Sequence, residues 1–153
     1  MKNILVIGAG RSSQILIKYL LDHSGPLNWK VIVADYSLEL AKKAISNHKN
    51  GKPIFFNVLD AKQRKSQIAS SDIVISMLPA SMHIIVAEEC ISLNKNLVTA
   101  SYVSDQISNL DKAAINAGVL LLNEIGLDPG IDHMSAMKII EKIKEEGGDL
   151  YSF

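Results

Sequence analysis

The sequence has few of the features that mark secreted or membrane-spanning proteins. Cys90 is its single cysteine, so no intrachain disulfide can form, and a reducing, cytoplasmic setting is predicted. The first residues enter a strand pattern directly, without the charged and apolar regions of a signal peptide. The apolar stretches are too short to cross a bilayer. We therefore predict a soluble cytoplasmic protein that has no membrane partner.

A net excess of charge is also missing. Sixteen Lys and Arg residues balance sixteen Asp and Glu residues, and the two signs are interspersed along the chain. Nucleic-acid binding needs clustered Lys and Arg, so no nucleic-acid partner is predicted. The His, Cys and carboxylate spacing typical of zinc is absent, and so is a Gly-Lys-Ser/Thr phosphate loop. These absences weigh against a metal site and against a nucleoside triphosphatase.

Strand and helix patterns alternate from end to end of the chain. Short apolar, β-branched stretches predict strands over residues 3–7, 30–34, 53–57, 72–76, 96–99 and 119–122. Residues 11–23, 38–48, 61–69, 81–93, 104–117 and 131–146 carry helix patterns. This alternation predicts an α/β fold, a doubly wound parallel sheet (Rossmann fold) with strand order 3-2-1-4-5-6 and helices on both faces.

The turn after the first strand carries the clearest chemical signal. Gly8-Ala9-Gly10 follows the strand at once. Gly8 allows a tight turn, Gly10 lets the backbone approach a pyrophosphate, and the N-terminus of the next helix favours the anion. Ser13 replaces the third small residue of this fingerprint and adds a hydroxyl for a phosphate contact. The turn therefore predicts a dinucleotide site.

The residue that follows the second predicted strand indicates which dinucleotide binds. Asp35 stands where a carboxylate accepts hydrogen bonds from the adenosine ribose hydroxyls and repels a 2′-phosphate. NAD is therefore predicted as the cofactor in preference to NADP. Helix capping within Asp-Tyr-Ser-Leu is the structural alternative for this residue.

Ligands of an open parallel sheet bind outside the carboxyl ends of its strands. Three segments at or near those ends, together with the glycine turn, resemble one family. They are residues 74–79 (VISMLP), 98–102 (VTASY) and 123–133 (NEIGLDPGIDH). They are similar to the glutamate-forming saccharopine dehydrogenases, also called saccharopine reductases. The resemblance implies an NAD(P)-dependent oxidoreductase acting on a CH–NH donor. Such an enzyme interconverts saccharopine with glutamate and 2-aminoadipate 6-semialdehyde in lysine metabolism.

The resemblance also implies roles for individual residues. Ser101, Tyr102 and Asp128 would face an amino-acid substrate, and no residue stands out as a general base, so the catalytic residue stays unknown. The implied cofactor contacts are Gly8, Gly10, Arg11 and Ser12 at the pyrophosphate, Asn57 and Val58 at the adenine, Leu78 and Pro79 at the nicotinamide-side ribose, and Leu127 and Pro129 beside the nicotinamide.

Structural interpretations compete with these roles. Asp128-Pro129 also suits a helix N-cap and first turn, and Ser101 and Tyr102 also suit a plain loop. His83 is interpreted as a structural residue, and Cys90 as a buried, inert thiol.

The end of the chain predicts a boundary. Residues 1–130 are assigned to the dinucleotide-binding domain, and residues 131–153 to a helix and the start of a strand that leads into a missing substrate domain. Such a fragment should bind the cofactor and lack a complete active site. Two alternatives stay open: a same-scaffold enzyme such as a carboxynorspermidine dehydrogenase, and a non-catalytic dinucleotide-binding regulatory module. A homodimer of the full-length protein is also left open.

Overall fold

Six parallel strands form the sheet of this computed structural model, which describes residues 1–152. The strands are β1 (Lys2–Ile7), β2 (Trp29–Asp35), β3 (Gly51–Phe55), β4 (Ile73–Ser76), β5 (Asn96–Thr99) and β6 (Leu121–Leu122). They lie side by side in the order β3-β2-β1-β4-β5-β6, and every neighbouring pair is parallel. The predicted α/β fold and strand order are confirmed.

Helices connect the strands and cover both faces of the sheet. They are α1 (Gln14–Ser24), α2 (Leu38–Ile45), α3 (Ala61–Ala69), α4 (His83–Ser92), α5 (Asp105–Ser108), α6 (Asp111–Ala117) and α7 (Ile131–Glu145). Short 3-10 turns, Arg11–Ser13 and Ala80–Met82, lead into α1 and α4. In the part of the chain that the structure describes, no helix is both long and apolar enough to cross a membrane.

The sheet separates two hydrophobic layers because side chains alternate along each strand. In β1, Ile4 and Val6 join the layer under α1 and α2, whereas Leu5 and Ile7 join the layer under α3 and α4. Cys90 is buried in this second layer, and burial raises the pKa of its thiol to about 12. The prediction of a buried thiol is confirmed.

Most predicted elements differ from the observed ones by one or two residues at an end, including β3, which was predicted over residues 53–57 and spans Gly51–Phe55. Three other elements differ more. The helix predicted over residues 104–117 is two helices, because the Leu110 N–H bonds to the Ile107 carbonyl three residues back and closes α5. The helix predicted over residues 38–48 ends at Ile45, where Ser46 and Asn47 take positive φ angles of 48° and 58°. The last strand has two residues instead of four.

The C-terminal segment stands apart from the two layers. Helix α7 contains no buried residue. Leu150 to Ser152 form neither helix nor strand, and Phe153 lies outside the described residues. The start of a further strand there, and the boundary at residue 130, stay predictions.

Candidate functional site

The two glycines of the first turn have different constraints. Gly8 has φ +106°, and a Cβ on it would lie 2.8 Å from the Met77 carbonyl oxygen. A Cβ on Gly10 would meet no other heavy atom within 4 Å. Gly8 is thus required by the fold itself, whereas the space beside Gly10 is left open at the start of the first helical turn.

Asp35 is bound by the protein's own backbone. One carboxylate oxygen accepts the Ala9 N–H at 2.7 Å, and the other accepts the Ser37 N–H at 2.7 Å. Ser37, not Asp35, is the N-cap of α2, since its hydroxyl accepts the Leu40 N–H. Asp35 therefore ties the end of β2 to the glycine turn.

A first cavity of about 380 Å³ opens where β1, β2 and β3 end. It brings together predicted cofactor residues from four segments of the chain. Tyr36 also lines it and was missed by sequence reasoning, although its place directly after Asp35 was a usable signal. Its ring lies 5.5 Å from that of Phe55. The predicted residues in the lining are Gly8, Asp35, Asn57, Val58 and Leu78.

A second cavity of about 410 Å³ adjoins the first. Leu78 lines both cavities, so they are neighbours along the carboxyl edge of the sheet. The second cavity gathers all three predicted substrate residues with three predicted cofactor residues. They are Ser101, Tyr102 and Asp128, with Ser12, Leu78 and Pro129.

Other predicted cofactor residues do not line either cavity. Ser13 is buried, and its hydroxyl donates to the Gly10 carbonyl at 2.9 Å. Leu127 is 74% exposed. Arg11 and Pro79 each adjoin in sequence a residue that lines a cavity, and Gly10 lies two residues from both Gly8 and Ser12. The roles of all the predicted site residues stay predictions.

Tyr102 and Asp128 are paired at the second cavity. The tyrosine hydroxyl donates to Asp128 Oδ1 at 2.5 Å. The hydrogen bond to this carboxylate raises the pKa of Tyr102 above its ordinary value. Both groups therefore present polar atoms to the cavity, and the hydrogen bond between them fixes their positions. The raised pKa keeps the tyrosine in its neutral form.

A buried histidine lies behind the same cavity. His83 begins α4, and its ring bonds to Ser76 Oγ through Nδ1 at 2.8 Å and to Ser101 Oγ through Nε2 at 2.7 Å. Burial lowers its pKa. Sequence reasoning treated His83 as structural and missed this contact with a predicted substrate residue. Ser76 and Thr99, polar residues at the ends of buried strands, were the available signal.

Comparisons with known proteins identify the family of this chain. The family model for the saccharopine dehydrogenase NADP binding domain matches residues 4–122. The chain belongs to this family. The glutamate-forming NADP(+) saccharopine dehydrogenase of Pyricularia oryzae is 40% identical over 99% of this chain. The alpha-aminoadipic semialdehyde synthase of Arabidopsis thaliana is 38% identical over 98% of it.

A solved structure of the same family has a similar fold. Apo saccharopine dehydrogenase (L-Glu forming) from Saccharomyces cerevisiae superposes with a TM-score of 0.88 at 34% identity and covers 99% of this chain. The chain spans only about a third of the Saccharomyces and Pyricularia proteins and 16% of the Arabidopsis one.

The prediction of NAD in preference to NADP is wrong. The family model describes an NADP-binding domain, and the fungal relatives are NADP(+) enzymes. The prediction assumed that the Asp35 carboxylate is free for ribose hydroxyls, yet both of its oxygens already accept main-chain N–H groups. Those two donors also offset part of its negative charge, which weakens the repulsion expected toward a 2′-phosphate.

The residues present fit a dinucleotide. The open space beside Gly10 and the first helical turn suit a pyrophosphate. The first cavity is lined mainly by apolar residues, with Asp35, Tyr36 and Asn57 as polar ones. Within residues 1–152, no group of three or more His, Cys, Asp and Glu side chains is placed to hold a metal ion.

Proposed function

We propose that this chain is the NADP-binding part of an oxidoreductase that interconverts saccharopine with glutamate and 2-aminoadipate 6-semialdehyde. The observation that carries the proposal is the junction of two cavities at Leu78. Gly8 of the glycine turn lines one cavity, and Ser101, Tyr102 and Asp128 line the other. A dinucleotide laid along this edge would bring its reactive end to the polar residues.

The chain's own residues would hold the cofactor at three places. Asn57 and Val58 line the first cavity and would contact the adenine, the backbone at Gly10 would approach the pyrophosphate, and Leu78, which lines both cavities, would lie between them. When bound, NADP supplies the acceptor for a hydride from the carbon next to the secondary amine of saccharopine.

Ser101, Tyr102 and Asp128 suit an amino-acid substrate. Hydroxyl groups both donate and accept hydrogen bonds, so they can contact a carboxylate or an amine, and Asp128 can pair with a cationic nitrogen. Because the chain spans about a third of the fungal relatives, we expect this domain alone to bind the cofactor without turnover. The cytoplasmic location and the homodimer stay predictions.

Calorimetric titration of NADPH and NADH into the chain tests the cofactor part of this proposal. We expect tighter binding of NADPH. The reaction is tested by saccharopine-dependent reduction of NADP by the full-length protein, with 2-aminoadipate 6-semialdehyde detected as product. NADPH binding without turnover of saccharopine would favour the regulatory module or a different substrate, and no binding of either nucleotide would overturn the whole proposal.

A further inference from the structure

The chain leaves the sheet at Asn57, directly after β3. Phe56 still pairs with the sheet, since its N–H donates to the carbonyl of the last β2 residue at 2.9 Å. The Asn57 N–H donates instead to the side-chain carbonyl of Gln63 at 3.0 Å. The Val58 carbonyl accepts a hydrogen bond from Arg64 Nη1 at 2.7 Å. Two neighbouring side chains of α3 therefore hold the main chain where the sheet no longer does.

The start of α3 places Gln63 for this contact. Asp60 is the N-cap, and its carboxylate accepts the N–H groups of Lys62 and Gln63. The Asp60 N–H in turn donates to the Asn57 carbonyl at 3.0 Å. Because a main-chain N–H can only donate, the Gln63 amide presents its oxygen to Asn57. Both main-chain polar groups of Asn57 are thus bound by the first turn of the helix and its cap.

Arg64 is accompanied by an acid on the next helix. Its Nε lies 3.4 Å from Glu89 Oε2 on α4, and the two side chains are only 15% and 14% exposed. Within residues 1–152, Nε is buried and has no hydrogen-bond partner, so Glu89 balances the charge of Arg64 without a hydrogen bond to this nitrogen. Desolvation offsets much of the attraction in such a pair. Its specific contribution here is the hydrogen bond that Arg64 makes to Val58.

Asn57 and Val58 line the first cavity, whereas Gln63, Arg64 and Glu89 do not. The α3 side chains therefore affect the cavity through the main chain that they hold. We propose, on the basis of the proposed function, that Gln63 and Arg64 are positioning residues for the adenine end of NADP. They keep the main chain of Asn57 and Val58 in the shape that the adenine contacts, and Glu89 balances the charge of Arg64. Their loss weakens the adenosine half of the cofactor and spares the substrate residues.

One substitution on α3 and its matched control test the contact to Asn57. Gln63→Leu removes the acceptor for the Asn57 N–H and keeps a side chain of similar size. Gln67→Leu makes the same change one turn further along α3, where the hydrogen bonds at Gln67 use its main-chain carbonyl. The difference between the two variants therefore measures the side-chain contact and not the loss of a glutamine from the helix.

Adenosine 2′,5′-bisphosphate is the probe, because it carries the adenine, the ribose and the 2′-phosphate of NADP without the nicotinamide. In calorimetric titrations of the full-length protein, we expect Gln63→Leu to raise its Kd about tenfold, which corresponds to about 1.4 kcal/mol. The Kd for NADPH should rise by a similar factor, and Gln67→Leu should change both by less than about twofold. Equal affinities of the two variants, or a loss for NADPH without a loss for the bisphosphate, would overturn the role of Gln63.

A double substitution tests the contact to Val58. Arg64→Met combined with Glu89→Met removes this contact without leaving one charge of the pair unbalanced. We expect the Kd for the bisphosphate to rise at least about threefold, while KM for saccharopine stays within about twofold of the wild type. A titration stoichiometry equal to that of the wild type identifies the variant as folded. Unchanged bisphosphate affinity in the folded double variant would overturn the role of Arg64.

The same measurements separate this proposal from the proposed function. If saccharopine is not turned over but Gln63→Leu weakens the bisphosphate, the proposed substrate fails while the positioning role stands. If saccharopine is turned over with NADP but Gln63→Leu binds the bisphosphate as the wild type does, the positioning role fails alone. A wild-type protein that binds neither NADPH nor the bisphosphate would overturn both.

Discussion

The Asp35 carboxylate accepts the Ala9 main-chain N–H at 2.7 Å, so the end of β2 holds the turn that follows β1. Its second oxygen holds the Ser37 N–H at the same distance, at the entry to α2. One side chain therefore holds two of the backbone segments that border the first cavity. This arrangement gives Asp35 a role in shaping the cofactor site that does not depend on contact with a ribose.

Replacing Asp35 with alanine should destabilise the protein and weaken the binding of NADPH and NADH by similar factors. The Ala9 residue is fully buried, and leaving its N–H without an acceptor costs about 1–3 kcal/mol. We expect a loss of that size in the free energy of unfolding measured with urea. Calorimetry should show a change of less than about threefold in the ratio of the dissociation constants for NADPH and NADH.

Asp35→Asn is the matched control. The asparagine carbonyl can still accept one of the two N–H groups, so its loss of stability should be smaller than that of the alanine variant. If Asp35→Ala leaves stability unchanged and alters only the NADPH to NADH ratio, Asp35 contacts the ribose and its backbone role is wrong.

Gly10→Val should abolish dinucleotide binding while leaving the fold intact. A Cβ at this position would meet no heavy atom within 4 Å apart from its chain neighbours, so a valine side chain would enter the space proposed for the pyrophosphate. Gly25→Val is the control, because Gly25 also has open space around it and ends α1 away from both cavities. We expect calorimetry to show NADPH binding by the Gly25 variant and none by the Gly10 variant, with matching thermal unfolding. Normal binding by Gly10→Val would contradict the assignment of this turn.

Gly8→Ala should destabilise the fold itself, because a side chain at this position meets the protein and not open space. Gly8 has φ +106°, and its Cβ would press on the Met77 carbonyl, so the substitution strains the backbone by about 1–3 kcal/mol. The loss should appear in urea unfolding without any nucleotide present. An alanine variant as stable as the wild type would show that this turn relaxes freely.

The order of the strands was predictable from the sequence because β1, β2, β4 and β5 have apolar, β-branched cores and helix patterns separate the strands. Boundaries were less predictable. Nothing local in residues 104–117 shows that Leu110 will bond to Ile107 and divide the helix, and Ser46 takes a left-handed conformation that sequence does not require. These outcomes depend on packing against the sheet.

The site was predictable as a set of segments but not as a set of contacts. The strand ends placed Ser101, Tyr102 and Asp128 at one edge, and the structure gathers them in one cavity. The cofactor preference failed because a sequence shows that Asp35 is acidic and does not show that Ala9 and Ser37 already use both of its oxygens.

The stability of the protein should depend on pH through His83. Burial lowers its folded-state pKa below the ordinary value of 6.5, so the unfolded chain binds the proton more tightly than the folded one. The stability contributed by the neutral ring is therefore fully present above pH 6.5 and is lost as the pH falls through the folded-state pKa.

Between about pH 8 and about pH 5, the wild type should lose more free energy of unfolding than H83Q does. Urea unfolding of both proteins at the two pH values isolates this difference, because His23, His48 and His133 are common to both. Parallel losses in the two proteins would mean that His83 is readily protonated in the folded state, and its hydroxyl partners would then be arranged around a cation.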